Sequence, residues 1–202
     1  MDGGVIGVGS MGKNHARIYA ELKAVDSLFV YDTNRKAAGE IERLHGATAC
    51  DSMEDLLARS EAVSLCFPTP FHFEVARKVL GEGVHTLIEK PICATVAEGR
   101  SLLSTIPEGL VVGVGHIERF NPVVPEIRKI IRKPLYLEIK RHNPASARVK
   151  GSSVVDDLMI HDIDIALHAF FHCRPSSLVS AGNEDVARAL MRRGRTPGHL
   201  SP

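Results

Sequence analysis

Gly4-Val5-Ile6-Gly7-Val8-Gly9-Ser10-Met11-Gly12 is the stretch on which the fold turns. Val5 to Val8 is a short β-branched apolar run, and Met11 to Ala24 has helical periodicity, so the glycines stand between a strand and a helix. Their GxGxxG spacing has a physical meaning. Gly7 allows a tight turn, Gly9 lets backbone approach a pyrophosphate, and Gly12 permits close packing of helix on strand. The helix start, at Ser10 and Met11, adds free N–H groups and the positive end of the helix dipole.

Outward from this turn, apolar runs alternate with helical stretches. Leu28 to Tyr31 is followed by Arg35 to His45, Ala62 to Phe67 by Phe71 to Leu80, and Val84 to Ile88 by Val96 to Ser104, with Leu110 to Val114 last. Such alternation predicts βαβ units on a parallel sheet: an α/β, doubly wound Rossmann domain over residues 1–120. Beyond it come a helix near Pro122 to Ile131 and the alternating run Leu135 to Arg141. A Ser/Gly/Lys-rich loop spans 143–153, then a helix Val154 to His172, then a strand candidate, Ser177 to Ser180. Alternation marks a sheet with one wet face, so residues 121–202 are expected to form a shortened α+β domain with an open-faced sheet.

The 202 residues carry 25 Lys+Arg against 24 Asp+Glu, a net charge of +1. That balance offers nucleic acid or an anionic membrane no general attraction. No apolar run approaches the roughly 18 residues of a membrane span. The four cysteines, Cys50, Cys66, Cys93 and Cys173, form no CxxC pair, which fits a reducing cytoplasm and suggests neither zinc nor a disulfide framework.

Asp32 lies 20 positions after Gly12, where a carboxylate accepts hydrogen bonds from adenine-ribose hydroxyls. It would repel a 2′-phosphate, which favours NAD. Arg35 nearby could accommodate that phosphate and so admit NADP, and Asp32, Thr33 or Asn34 could each simply cap the next helix. Lys90, between Glu89 and Pro91, follows a strand at the carboxyl edge of the sheet, where it could reach a substrate hydroxyl or pair with Glu89 on the surface.

The stretch DDLMIHDIDIALHAFFH, at residues 156–172, separates two chemistries. At about 100° per residue, Asp157, Asp164, His168, His161 and His172 fall within about 80° of one another. Met159, Ile160, Ile163, Leu167, Phe170 and Phe171 take the other side. Asp157 and His161, four apart, can meet as a carboxylate-oriented general acid/base. Asp157 could instead cap the helix, and His161, His168 and His172 could bind a metal for hydrolysis. The three histidines lack a zincin spacing such as HExxH, so no metal is expected.

Four motifs in order, GVGSMGKNH, PTPFHFEVA at Pro68 to Ala76, EKP at Glu89 to Pro91 and DxxxHD at Asp157 to Asp162, together resemble the Gfo/Idh/MocA oxidoreductases. The resemblance spans about residues 4 to 190. It implies Lys90 as the active-site lysine, His161 as the acid/base and Asp157 as the carboxylate beside it, with a cis Pro91. It also implies that Thr69, Pro70, His72, Glu89 and Lys90 lie along a nicotinamide cofactor. GHIERFNPVV, at Gly115 to Val124, resembles the nucleotide-sugar branch, the UDP-N-acetylglucosamine 3-dehydrogenases. Arg119 and Asn121 would then contact a sugar or nucleotide-sugar substrate, although Arg119 could pair with Glu118 while Asn121 caps the following helix.

Members of that family assemble as dimers or tetramers through the open sheet, so a homodimer or homotetramer is expected. They are also usually longer than this chain, whose end, RRGRTPGHLSP, shows little strand periodicity and reads as a truncation or a shifted frame. Missing strands would leave an apolar face to be covered by a partner chain, or a compromised fold. The rival expectation is a relative that binds NAD without turnover.

Overall fold

The computed structural model describes residues 1–131, 134, 136–142, 153–172, 174–193 and 196–201. Lys133, Leu135, Cys173 and the loop over 143–152 lie outside these residues. The chain divides into two compact units, Met1–Gly115 and His116–Pro202.

In the first unit the strands are β1 (Gly3–Ile6), β2 (Leu28–Tyr31), β3 (Thr48–Ala49), β4 (Ala62–Leu65), β5 (His85–Ile88) and β6 (Val112–Val114). They form one parallel sheet in the order β3-β2-β1-β4-β5-β6. The order reverses between β1 and β4, and a sheet of this kind binds ligands outside the carboxyl ends of its strands at such a reversal. Helices α1 (Ser10–Glu21), α2 (Arg35–His45), α3 (Met53–Arg59), α4 (His72–Gly81) and α5 (Val96–Thr105) connect them.

The sheet is covered on both faces. Val5, Val30, Ala16, Ala38 and Ile41 make one apolar layer. Ile6, Val63, Leu65, Leu80, Ile88 and Leu102 make the other. Each fully buried aliphatic side chain contributes roughly 1.5–3 kcal/mol, so these layers carry the unit. β3 and α3 are additions to the sequence reading. The strand has two residues, and the helix is a seven-residue turn started by Ser52, whose hydroxyl accepts from the Asp55 N–H at 3.1 Å.

The helix starts differ in a way that matters for the site. Asn34 caps α2, Ser52 caps α3, and Thr95 with Glu98 forms a capping box on α5. α1 starts on Gly9 with no side-chain cap and no acidic residue in its first turn.

The second unit contains α6 (Val123–Ile130), β7 (Leu137–Lys140), a long helical stretch with α7 (Ile160–Ile165) at its centre, β8 (Ser177–Gly182), β9 (Ala187–Arg193) and β10 (Thr196–Ser201). The sheet order is β7-β10-β9-β8, with β10 parallel to β7 and antiparallel to β9. Among the described residues four strands thus stand where two were expected, and the tail that lacked strand character supplies one inside the sheet. β9 escaped notice because its inward positions are Ala187, Ala189 and Met191, two of them poor strand formers, while Leu190 points outward and is exposed. Those inward residues pack on Val154, Met159, Ala166 and Phe171. β8 is exposed along its whole length.

The long helix departs from uniform α geometry. Val155–Met159 and Ala166–Phe171 are wide π-type turns on either side of α7, and the stretch stops at His172, which is left-handed at φ 52°. The single Asp/His strip therefore does not survive, because a constant 100° step fails in wide turns. His161 is buried, Asp157 and Asp164 are half-buried, and His168 and His172 are exposed. Among the described residues no helix is long and apolar enough to cross a membrane.

Candidate active site

The glycine turn behaves as its spacing requires. Gly7 has φ +85°, and a Cβ there would lie 2.9 Å from the Cys66 carbonyl oxygen. A Cβ on Gly12 would sit 1.8 Å from the Gly7 oxygen, so α1 can approach β1 only with glycine there. Around Gly9 a Cβ would meet nothing within 4 Å. The bare backbone at Gly9 and the uncapped N–H groups of α1 suit a phosphate.

Asp32, just after β2, accepts the Val8 N–H on Oδ2 at 2.8 Å and the Asn34 N–H on Oδ1 at 2.7 Å. It braces the glycine turn, and each oxygen keeps a lone pair for a ribose hydroxyl. Asn34, not Asp32, is the cap: its Oδ1 accepts from the Lys36 and Ala37 N–H groups at 3.1 and 3.4 Å. Arg35 pairs with Asp51 at 2.9 Å, both exposed. A cavity of about 560 Å³ runs from Gly7, Gly9 and Asp32 to apolar walls that include Met53, Phe67 and Phe71. This chemistry fits a dinucleotide: amides for the pyrophosphate, a carboxylate for ribose and apolar surface for a base. Ser10 and Met11 open α1 beside it, and Thr69 and Pro70 lie in a 3₁₀ turn, Thr69–Phe71, after β4.

Two residues expected along the cofactor are spent inside the unit. His72 is buried, with Nδ1 2.8 Å from the Pro91 carbonyl oxygen and Nε2 2.8 Å from that of Phe67. Both ring nitrogens are taken by backbone, so His72 ties the end of β4 to the Lys90–Pro91 turn. Glu89 is likewise buried and does not lie on the surface. Its Oε1 lies 3.0 Å from His15 Nε2, and its Oε2 accepts the Lys90 backbone N–H at 3.2 Å. Burial pushes the Glu89 carboxyl up, but the His15 hydrogen bond, the His15 charge and the Lys90 amide outweigh it and hold the group below the usual carboxylate range.

Behind this pair stands Ser64 on β4, whose Oγ lies 3.0 Å from His15 Nδ1 and 2.6 Å from the Tyr19 hydroxyl. Nothing local in the sequence signals this network, since its members are up to 74 residues apart. The Lys90–Pro91 bond is cis, as the resemblance implied, and Lys90 is half-buried. Burial drives the Cys66 thiol far up, which removes it as a nucleophile beside the turn.

In the second unit, Asp157 lies in the first wide turn and His161 in α7. Asp162, absent from the expected strip, is 1% exposed, and its Oδ1 accepts from Arg141 Nε and Nη2 at 3.0 and 2.9 Å. Arg119 pairs with Asp164, not with Glu118: Nε and Nη2 donate to Oδ2 and Oδ1 at 2.7 and 2.6 Å. Glu118 instead lies 3.6 Å from Arg141 and accepts from Asn121 Nδ2 at 3.1 Å. Asn121 Oδ1 accepts the Val123 N–H at 3.1 Å, steering the chain into α6. Among the described residues no three His, Cys, Asp or Glu side chains group as metal donors.

Burial pushes Asp164 up, but Arg119 and, through charge, His116 and His168 hold it below the ordinary 3.8. A carboxylate lowered in the fold stabilises above its ordinary value, and that contribution is lost as pH falls through the lowered one. Arg119→Gln is therefore expected to lose about 1–2 kcal/mol at neutral pH, the figure for charge-assisted hydrogen bonds discounted for partial solvation of Arg119. The difference from wild type should close as Asp164 protonates. Urea unfolding from about pH 7 down to about pH 3 measures both limbs.

The profile of the oxidoreductase family with an NAD-binding Rossmann fold, GFO_IDH_MocA, matches residues 1–119. The UDP-N-acetylglucosamine 3-dehydrogenase of Acidithiobacillus ferrooxidans is 39% identical over 166 residues, covering 81% of this chain and 52% of that protein. The glucose-6-phosphate 3-dehydrogenase of Bacillus subtilis is 29% identical over 186 residues, covering 83% and 53%. A solved structure of the Acidithiobacillus enzyme superimposes with a TM-score of 0.90 at 35% identity, covering all of this chain and 68% of that one. The chain spans about half the length of the curated relatives it matches. The glycine turn, the Asp32 brace and this profile agree: the chain belongs to the Gfo/Idh/MocA oxidoreductases, with an NAD-binding Rossmann fold as its first unit.

Proposed function

We propose that the chain is an NAD-dependent dehydrogenase that oxidises a secondary hydroxyl of a sugar, and specifically the 3-position of a nucleotide sugar such as UDP-N-acetylglucosamine. The observation that carries the substrate class is the 39% identity to a relative named for that reaction. Gly7, Gly9, Ser10, Met11 and Gly12 hold the pyrophosphate and Asp32 the ribose, with Thr69 and Pro70 farther along the cofactor. NAD is favoured over NADP because Asp32 would repel a 2′-phosphate and Arg35 is engaged with Asp51. When bound, NAD supplies the acceptor for the hydrogen that leaves the carbinol carbon with its electron pair.

The chain's own residues handle the proton. His161 takes it from the sugar hydroxyl, Asp157 stabilises the resulting imidazolium, and the Lys90 ammonium stabilises negative charge developing on the oxygen. Arg119 and Asn121 keep donors beyond their internal pairs and offer them to the substrate. A second copy on the open face beside β8, where Leu178 and Val179 are exposed, would complete a homodimer or homotetramer.

The test is the near-ultraviolet absorbance of reduced nicotinamide on mixing the chain with UDP-N-acetylglucosamine and either NAD or NADP. Reduction of NAD is expected. No reduction with this or related sugars, by folded protein, overturns the reading. The second reading is an NAD-binding relative without turnover, for which the glycine turn and Asp32 alone suffice. Calorimetric NAD binding with no reduction would select it.

A further inference from the structure

We propose that His15 is a positioning residue for Lys90, acting through Glu89, so that α1, which starts at the glycine turn, also fixes the lysine turn. The inference rests on the reading of Lys90 as the active-site lysine. It stands on a chain of side chains inside the first unit. Glu89, a carboxylate, can only accept, so His15 Nε2 donates to it at 3.0 Å. On its other side His15 Nδ1 meets Ser64 Oγ at 3.0 Å, and that hydroxyl in turn meets the Tyr19 hydroxyl at 2.6 Å. Three elements, α1, β4 and the end of β5, are thereby tied together.

Ser64 is fully buried in the middle of the sheet, and His15 and Glu89 side chains are 11% and 8% exposed. Apolar side chains of similar volume would fill this space without the desolvation penalty. What the polar set adds is direction. Glu89 divides its oxygens, Oε1 to His15 and Oε2 to the backbone N–H of Lys90, so holding the carboxylate holds the lysine's main chain. The space for that carboxylate is made by Gly115 after β6, where a Cβ would lie 2.7 Å from Oε1. His15 itself sits on the helix whose first turn faces the pyrophosphate, five residues after Ser10.

The test uses the full chain with His15→Leu, which removes the donor, and His15→Gln, which keeps a donor and an acceptor in similar places. Gly115→Ala presses on the same carboxylate from the other side. For His15→Leu and Gly115→Ala, kcat for sugar oxidation should fall about a hundredfold, the effect of a displacement of about 1 Å. NAD affinity and the KM for sugar should stay near wild type, and His15→Gln should recover most of the loss. Hydrogen exchange at the Lys90 amide, read by NMR, should quicken about tenfold in His15→Leu while amides of β1 and β2 are unchanged.

Should wild type turn over no sugar, the dehydrogenase reading fails, and the exchange data alone decide this one. A Lys90 amide that exchanges alike in His15→Leu and wild type overturns the proposal. So does loosening spread across the whole sheet, or a His15→Gln protein as impaired as His15→Leu.

Discussion

Gly12→Ala is expected to lose about 3 kcal/mol or more of stability, at the upper end for an overpacked site. Both groups that would collide, the new methyl and the Gly7 carbonyl 1.8 Å from it, are fixed to backbone, so no rotamer relieves the clash. A domain with about 5–15 kcal/mol in total would be brought close to unfolding. Gly9→Ala is the informative companion. Its methyl meets nothing within 4 Å, and its φ of −70° suits any residue, so stability should be unchanged. NAD binding should nevertheless fall, because that methyl occupies the approach of the pyrophosphate. Urea midpoints and NAD calorimetry separate the two roles, and a Gly9→Ala protein that binds NAD as wild type does would refute the assignment of this turn.

Lys90→Met and His161→Asn should each lower sugar-oxidation turnover by about 10²–10⁴-fold, the range for removing a positioned proton-handling group. On the proposed reading both serve the same substrate hydroxyl, so the double variant should lose far less than the product of the two. NAD binding should persist in both, since the glycine turn and Asp32 stay intact. His161 is buried, so its variant needs a urea midpoint beside its initial rates. A wild-type kcat in either variant would remove that residue from the chemistry.

Legibility in the sequence followed the range of the interaction. The GxGxxG turn could be read because its requirement is local: three positions, a tight turn and a close approach. Core strands such as Leu28–Tyr31 were legible because a sheet covered on both faces needs continuous apolar runs. The His15–Glu89 contact was not, since it joins residues 74 apart and the GVGSMGKNH motif that ends on His15 gives no sign of the partner. Arg119 and Asp164, 45 apart, were hidden for the same reason, and the adjacent Glu118 drew the eye instead. Between Asp32 and Asn34 the choice of cap depended on where the Val8 amide pointed, a tertiary fact. The Asp/His strip failed for a different reason, since it assumed one helical step throughout.

The wide turns around α7 give this stretch slack in angular phase. A turn closing i to i+5 holds more residues than the 3.6 of an α-helix, so removing one residue within Val155–Met159 would let the segment wind down to the commoner form. Five residues of a wide turn sweep nearly the same angle as four of an α turn, so everything before the deletion would keep nearly its direction relative to His161. A residue lost from α7 itself meets no such slack, and would turn everything before it by about 100°.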